Sequence, residues 1–211
     1  MALWSSASSA KVQHVYHVMK KAGHVGKVVK TKHQGESGGH ATKSTNSIDK
    51  KPLSDYQRSI LMTAYKQAEH DGIKKPEILS GIIMQESAAG AAKNFRTAKH
   101  KKACDQTVGL GQMKVKTALA ILTKYPELKQ QFGVSDRNLY SALATNDKFS
   151  LAVASKYVKW MYDIYHNDDT VIAAYNLGPG GAANLKKPWN LPYVKLVRGH
   201  INRHQFSTTL S

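Results

Sequence analysis

The chain has one cysteine, Cys104, in 211 residues. No intramolecular disulfide can form, so the fold needs no oxidising compartment, and Cys104 reads as an incidental small residue. Acidic residues are scarce, 14 against 31 Lys and Arg, for a net charge of +17. Such a balance points to a polyanionic partner, whether nucleic acid, a membrane surface or an anionic cell wall, and says nothing about fold. Long apolar runs are missing. The longest useful one, "ALAIL" at 118–122, falls far short of the ~20 residues that a membrane span needs. The opening "MALWSSASSAKV" has neither the charged start nor the apolar stretch of a secretory signal. We therefore expect synthesis in the cytoplasm and delivery elsewhere by another route. Period-2 alternation of useful length is absent as well, which excludes a large sheet and leaves at most a small hairpin near 94–108.

What is present divides in two. Residues 1–51 hold nine lysines against Glu36 and Asp49 and no proline, and "KHQGESGGHATKSTNSIDKK" reads as a flexible, linker-like tail. Within it, Val12, Tyr16 and Met19 fall at helical spacing, which allows a short amphipathic helix over about 9–22, either a solvated helix without a role or a docking element for another protein. His14, His17 and His24 lie close together but lack ligand spacing with cysteines or acids, so no metal site is expected.

From residue 52 onward the pattern is helical. "SDYQ" at 54–57 is a capping-box start, after which Ile60, Leu61, Ala64, Tyr65 and Ala68 mark one face as far as Gly72. Pro76 opens a second helix. Further helices are expected over about 113–124, 146–166, 169–176 and 190–204, the longest burying Phe149, Val153, Tyr157, Trp160, Met161 and Ile164. The fold class is therefore mainly α, with residues 52–211 forming the folded domain.

In the second helix, "IIMQESAAG" at 82–90 places one acid on an apolar stripe. Ile78, Leu79, Ile82 and Ile83 form that stripe, and Glu86, four residues beyond Ile82, continues it. Burial and the negative end of the helix dipole both disfavour a carboxylate there, so its pKa is expected to be raised. An acid that keeps its proton near neutral pH can protonate a leaving group. Two other stretches have site-like chemistry. "VGLGQMK" at 108–114 sets two glycines around Leu110 and offers Gln112 as donor and acceptor. "AAYNLGPGG" at 173–181 puts Tyr175 and Asn176 at a helix end before a Gly-rich turn. "YVKLV" at 193–197 adds Tyr193.

Glu-Ser after an apolar helix, then Gly-Leu-x-Gln, then Ala-Tyr-Asn-x-Gly-x-Gly, then Tyr-Val-x-x-Val resembles, in this order, the soluble lytic transglycosylase domain family. That family has a lysozyme-like fold and is related to goose-type lysozyme. The resemblance covers about residues 54–200. Gly-Leu-Gly-Gln stands where members often have Gly-Leu-Met-Gln. Ser150 and Ala154 replace an asparagine and a glycine of the pattern, whereas Tyr157 is retained.

The resemblance implies peptidoglycan as substrate and cleavage of the β-1,4 bond from N-acetylmuramic acid to N-acetylglucosamine, with Glu86 as the single catalytic acid and base and no cofactor. Ser87 would orient a nearby group or the sugar acetamide, or simply bond a backbone carbonyl. Gln112, Tyr175 and Asn176 would orient Glu86 and the sugar. The backbone at Leu110, Gly111 and Met113 would meet the glycan, with Tyr157 and Tyr193 also assigned to substrate. Members of the family occur as virion proteins that open the wall during genome delivery, and as endolysins. The basic tail suits docking to phage tail or internal virion proteins, or contact with DNA or an anionic wall polymer, and this favours a virion enzyme acting in the host periplasm or cell wall. Alternatives are an endolysin, a lysozyme-like hydrolase, and a basic nucleic-acid- or wall-binding protein with an inactive enzyme fold. Against the last, 26 of the 31 basic residues are Lys, no Arg-rich groove helix appears, and Glu86 is retained.

Overall fold

The computed structural model describes residues 52–92 and 107–204. The tail, with the short helix that its spacing allows over about 9–22, and most of the segment 94–108 that could hold a small hairpin lie outside the described residues.

The capping box is present. Ser54 Oγ accepts from Gln57 N, and Gln57 Oε1 accepts from Ser54 N, starting α1 at Asp55–His70. Helix α2 spans Glu77–Ser87. Beyond it come two short antiparallel strands, β1 (Thr107–Val108) and β2 (Met113–Lys114), with Val108 opposite Met113. Helices α3 (Val115–Lys124), α4 (Glu127–Phe132) and α5 (Leu139–Thr145) follow. The long α6 (Asp147–Tyr165) is capped by Asn146, and α7 (Asp168–Leu177) by Asn167. The chain closes through the short α8 (Pro179–Ala182), a 3-10 turn η1 (Pro188–Asn190) and α9 (Pro192–His204). The described domain is mainly helical, as the periodicity implies.

Two expectations need correction. The third helix was expected from 113, but Met113 and Lys114 pair as a strand and α3 begins at Val115. Gly109 and Gln112 both take positive φ (77° and 43°), which folds the chain back before a helix can start. Helix α9 begins at Pro192, because residues 188–190 are already wound as a 3-10 turn. Helices α4 and α5, each of two turns or fewer, are too short to show a period.

Helix α2 is the centre of the packing, set against α1, α9, α6 and α7. Ile78, Leu79, Ile82 and Ile83 are wholly buried. Each contributes about 1.5–3 kcal/mol relative to exposure. Together they outweigh the few kcal/mol that one buried polar group costs, so this helix can carry an acid into the interior. Ser80 Oγ donates to Leu61 O at 3.0 Å and pins α2 to α1.

Two ionic clusters fix the surrounding helices. Asp71, whose side chain is buried, takes Lys156 at 2.8 Å and accepts from Ser155 Oγ at 2.6 Å, tying the end of α1 to α6. Asp168 receives Lys75 at 2.6 Å and the Tyr162 hydroxyl at 2.8 Å, while Arg198 donates to Asp169 at 2.9 Å. That second cluster joins α7 to α6, to α9 and to the loop before α2.

Candidate active site

Glu86 is 8% exposed, one turn beyond the buried isoleucines of α2. The helix ends immediately after it. Ala88 and Ala89 adopt left-handed backbone, with φ of 49° and 50°, a conformation that costs about 1–3 kcal/mol for a residue with a Cβ. The corner is held by Ser87 Oγ, which donates to Ile83 O at 3.2 Å and accepts from Gly90 N at 3.1 Å. From α1, Gln57 Nε2 donates to Ala88 O at 3.0 Å. Of the two roles open to Ser87 from sequence, the structure shows the backbone one.

The Tyr193 hydroxyl donates to Glu86 Oε1 at 2.6 Å. That distance lies within the ordinary range for an O–H···O bond. Tyr193 stands near the start of α9, and α9 packs along α2. Sequence reasoning assigned Tyr193 to substrate; the structure makes it the partner of the acid.

The Gly-Leu-Gly-Gln turn lies behind this pair. Gly109 has φ of 77°, and a Cβ there would strike the Leu143 carbonyl oxygen, so only glycine fits. Leu110 is buried, and its N–H donates to Ser150 Oγ at 2.9 Å. That N–H serves the fold rather than a glycan. Ser150, noted in the sequence only as a departure from the family pattern, is thus a support of the turn. A buried hydroxyl on the neighbouring long helix was the signal that could have identified it. Gln112 is also turned inward, its Nε2 donating to Gly109 O at 2.8 Å and its Oε1 accepting from Thr107 Oγ1 at 3.3 Å. Met113 is buried in the strand pair.

Gly111 meets Tyr175. The tyrosine hydroxyl donates to Gly111 O at 2.8 Å. A Cβ at 111 would collide with that hydroxyl and lie 3.0 Å from Ala154 Cβ. The alanine that departs from the family pattern therefore presses on the same turn. Burial pushes the Tyr175 phenol well above its ordinary pKa, and the charge of Glu86 adds to the effect. Tyr175 thus stands in the field of the acid as a neutral hydroxyl. Tyr157, which the resemblance assigned to substrate, is 3% exposed. Its ring packs on Tyr175 with centroids 5.3 Å apart, and its hydroxyl donates to Ala174 O at 3.3 Å. It supports Tyr175 from the core, where a glycan cannot reach it. Asn176 is exposed at the end of α7.

The structure therefore shows two bonded pairs, Tyr193 with Glu86 and Tyr175 with Gly111, the second near enough for the charge of Glu86 to act on Tyr175, while Ser87, Leu110, Gln112, Met113 and Tyr157 are turned to the protein interior. Among the described residues no group of three or more His, Cys, Asp and Glu side chains is placed to hold a metal, and no helix is long and apolar enough to cross a membrane.

A mainly helical domain that seats a buried glutamate near such a turn fits the lysozyme-like class that the sequence motifs resemble. Residues 62–188 match the transglycosylase SLT domain model, and since this is more than half of the chain, the protein belongs to that family. The matched segment contains Glu86, the turn and Tyr175–Asn176, and ends just before Tyr193. The family's activity is of the lytic transglycosylase type, and its substrate is peptidoglycan. No curated protein and no solved structure matches the chain.

Proposed function

We propose that the protein is a peptidoglycan lytic transglycosylase in which Glu86 alone serves as acid and then base, forming 1,6-anhydro-N-acetylmuramic acid ends. The observation that carries this reading is the position of Glu86, 8% exposed at the end of a wholly buried isoleucine and leucine stripe, with the Tyr193 hydroxyl donating to its Oε1 at 2.6 Å. Such a carboxyl can exchange a proton with substrate.

In the reaction, Glu86 gives its proton to the glycosidic oxygen as the bond from C1 of the muramoyl sugar breaks. The C6 hydroxyl of the same sugar attacks C1, and Glu86 takes up the proton of that hydroxyl. No water is consumed, and the enzyme ends as it began. The nucleophile is tethered to its electrophile, so ring closure competes well with water. One carboxylate is enough because the substrate supplies the group that a second would provide in most glycosidases. Tyr193 steadies the carboxylate left after the first proton transfer.

The test is mass spectrometry of purified peptidoglycan digested by the wild type and by Glu86→Gln. Muramoyl ends lacking one water, seen with the wild type alone, are expected. Reducing ends would replace this reading with a hydrolase, and equal digestion by Glu86→Gln would remove Glu86 from the mechanism. The proposed setting is a phage virion, with the enzyme opening the host wall during genome delivery. The net charge of +17 suits such polyanionic surroundings. Co-sedimentation of the protein with purified particles tests that setting.

A further inference from the structure

Trp189 lies outside the site so far described, and the fold does not use most of its surface. It is 52% exposed, against 5% for Trp160 in the core. An indole is among the largest apolar surfaces a side chain can offer, and it carries a polar N–H at one edge. Leaving it in water forgoes the stabilisation that burial would give.

The residue is nevertheless held firmly. The turn η1 packs against α7 and against α9, the helices that deliver Tyr175 and Tyr193. Pro188 is buried, and prolines at 188 and 192 fix φ on either side of the indole. Asn190 N and Leu191 N close the turn on Lys187 O and Pro188 O, both at 3.1 Å. The backbone part of the ordering cost of placing an aromatic surface is therefore already met in the free protein.

Its position is bounded by the chain. Trp189 precedes Tyr193 by four residues, and four residues reach at most roughly 14 Å when fully extended. The Tyr193 hydroxyl is on Glu86. The Cα of Trp189 thus lies within that span of the Cα of Tyr193, a separation that a bound oligosaccharide can bridge. Just ahead of Pro188, Lys186 and Lys187 are exposed, and among the described residues neither takes part in an ion pair.

We propose that Lys186, Lys187 and Trp189 form a glycan subsite flanking Glu86. Trp189 stacks on the face of a pyranose ring, and the two ammonium groups pair with carboxylates of the peptide borne by a neighbouring muramoyl sugar. The inference rests on peptidoglycan being the substrate. A flat apolar surface suits the C–H face of a sugar. The lysines suit carboxylates, and in an intact strand the lactyl carboxyl of each peptide-bearing muramoyl sugar is tied up as an amide, so the free carboxylates are those of the attached peptide. Lysine is a flexible point charge, suited to carboxylates on a mobile peptide.

The experiment measures binding in the Glu86→Gln background, with glycan strands bearing their peptides, the same strands stripped of peptides by an amidase and with the lactyl carboxyl so exposed converted to its amide, and polyglutamate as a charge control. Trp189→Ala is expected to weaken binding to both glycan preparations on the order of tenfold, and Trp189→Phe to restore most of it. Lys186→Ala/Lys187→Ala is expected to weaken binding to peptide-bearing strands alone, with an effect that shrinks as salt rises. Equal affinity of Trp189→Ala and its parent for stripped strands overturns the stacking role. A lysine effect of equal size on stripped strands, or one seen on polyglutamate alone, overturns the peptide role. Cleavage of the same strands by the wild type is scored separately. Trp189-dependent binding without cleavage removes the enzyme and keeps the subsite, and cleavage without Trp189 dependence does the reverse.

Discussion

Replacing Gly111 by alanine tests whether the turn beside Glu86 is shaped by contact with Tyr175. The new Cβ would collide with the Tyr175 hydroxyl and sit 3.0 Å from Ala154 Cβ. The alanine is boxed in by a helix on one side, so the turn cannot relax freely, and overpacking of this kind costs about 1–3 kcal/mol. Displacing the hydroxyl also breaks its 2.8 Å bond to Gly111 O, a further loss of about 1 kcal/mol. Opposing both, alanine restricts the unfolded chain and returns about 0.4–1 kcal/mol. The net expectation is a destabilisation of about 2 kcal/mol. Tyr175→Phe removes the same hydroxyl without the added methyl, at about 1 kcal/mol. In the double variant the lost bond is counted once and the main clash is gone. Urea denaturation of the four proteins should then give a double variant about 1–2 kcal/mol more stable than the sum of the singles. Strict additivity would refute the argument, because it would mean that the methyl and the hydroxyl do not meet.

Ser150→Ala leaves the buried Leu110 N–H without its acceptor, and a loss of about 1–3 kcal/mol is expected. A change within error in thermal unfolding would show that the turn does not rely on that bond. Tyr193→Phe removes the donor to Glu86. The bond favours the charged carboxylate, so the alkaline limb of the pH–activity profile should move upward, by one pH unit for about each 1.4 kcal/mol lost; an unmoved limb would show that Tyr193 does not act on the acid. Asp71 loses solvation by burial, but hydrogen bonds from Lys156, Ser155 and Gln67 outweigh this and hold its pKa below the usual range. A depressed folded pKa adds stability above the ordinary aspartate range, and that stability fades as pH falls through the folded value. Asp71→Asn should therefore be less stable at neutral pH by about 3 kcal/mol, with the gap to wild type narrowing on acidification. A gap constant across that titration would contradict the assignment.

The sequence by itself determined what depends on near neighbours. Ser54 and Gln57 are three residues apart, so their reciprocal cap is a local event, readable as a motif and present in α1. The stripe from Ile78 to Ile83 orients α2 against the core, and with that orientation Glu86 is carried inward whatever the partner helices are. Glycine at 109 and 111 announces a tight backbone. What the sequence left open is which groups the glycines and the acid would meet. Helices α4 and α5 escaped notice because fewer than two turns carry no period. Ser87 and Gln112 have polar groups suited to a sugar, but backbone acceptors nearby claimed them. Tyr157 and Tyr175 read alike in the sequence, yet packing drove one into the core and left the other under the turn. The bonds that define the site join residues 107, 64 and 40 positions apart: Tyr193 to Glu86, Tyr175 to Gly111, and Leu110 to Ser150. No local rule encodes such pairs. They exist because α9, α7 and α6 all pack around α2, and only that packing sets a phenol against the carboxyl that the helix carries inside.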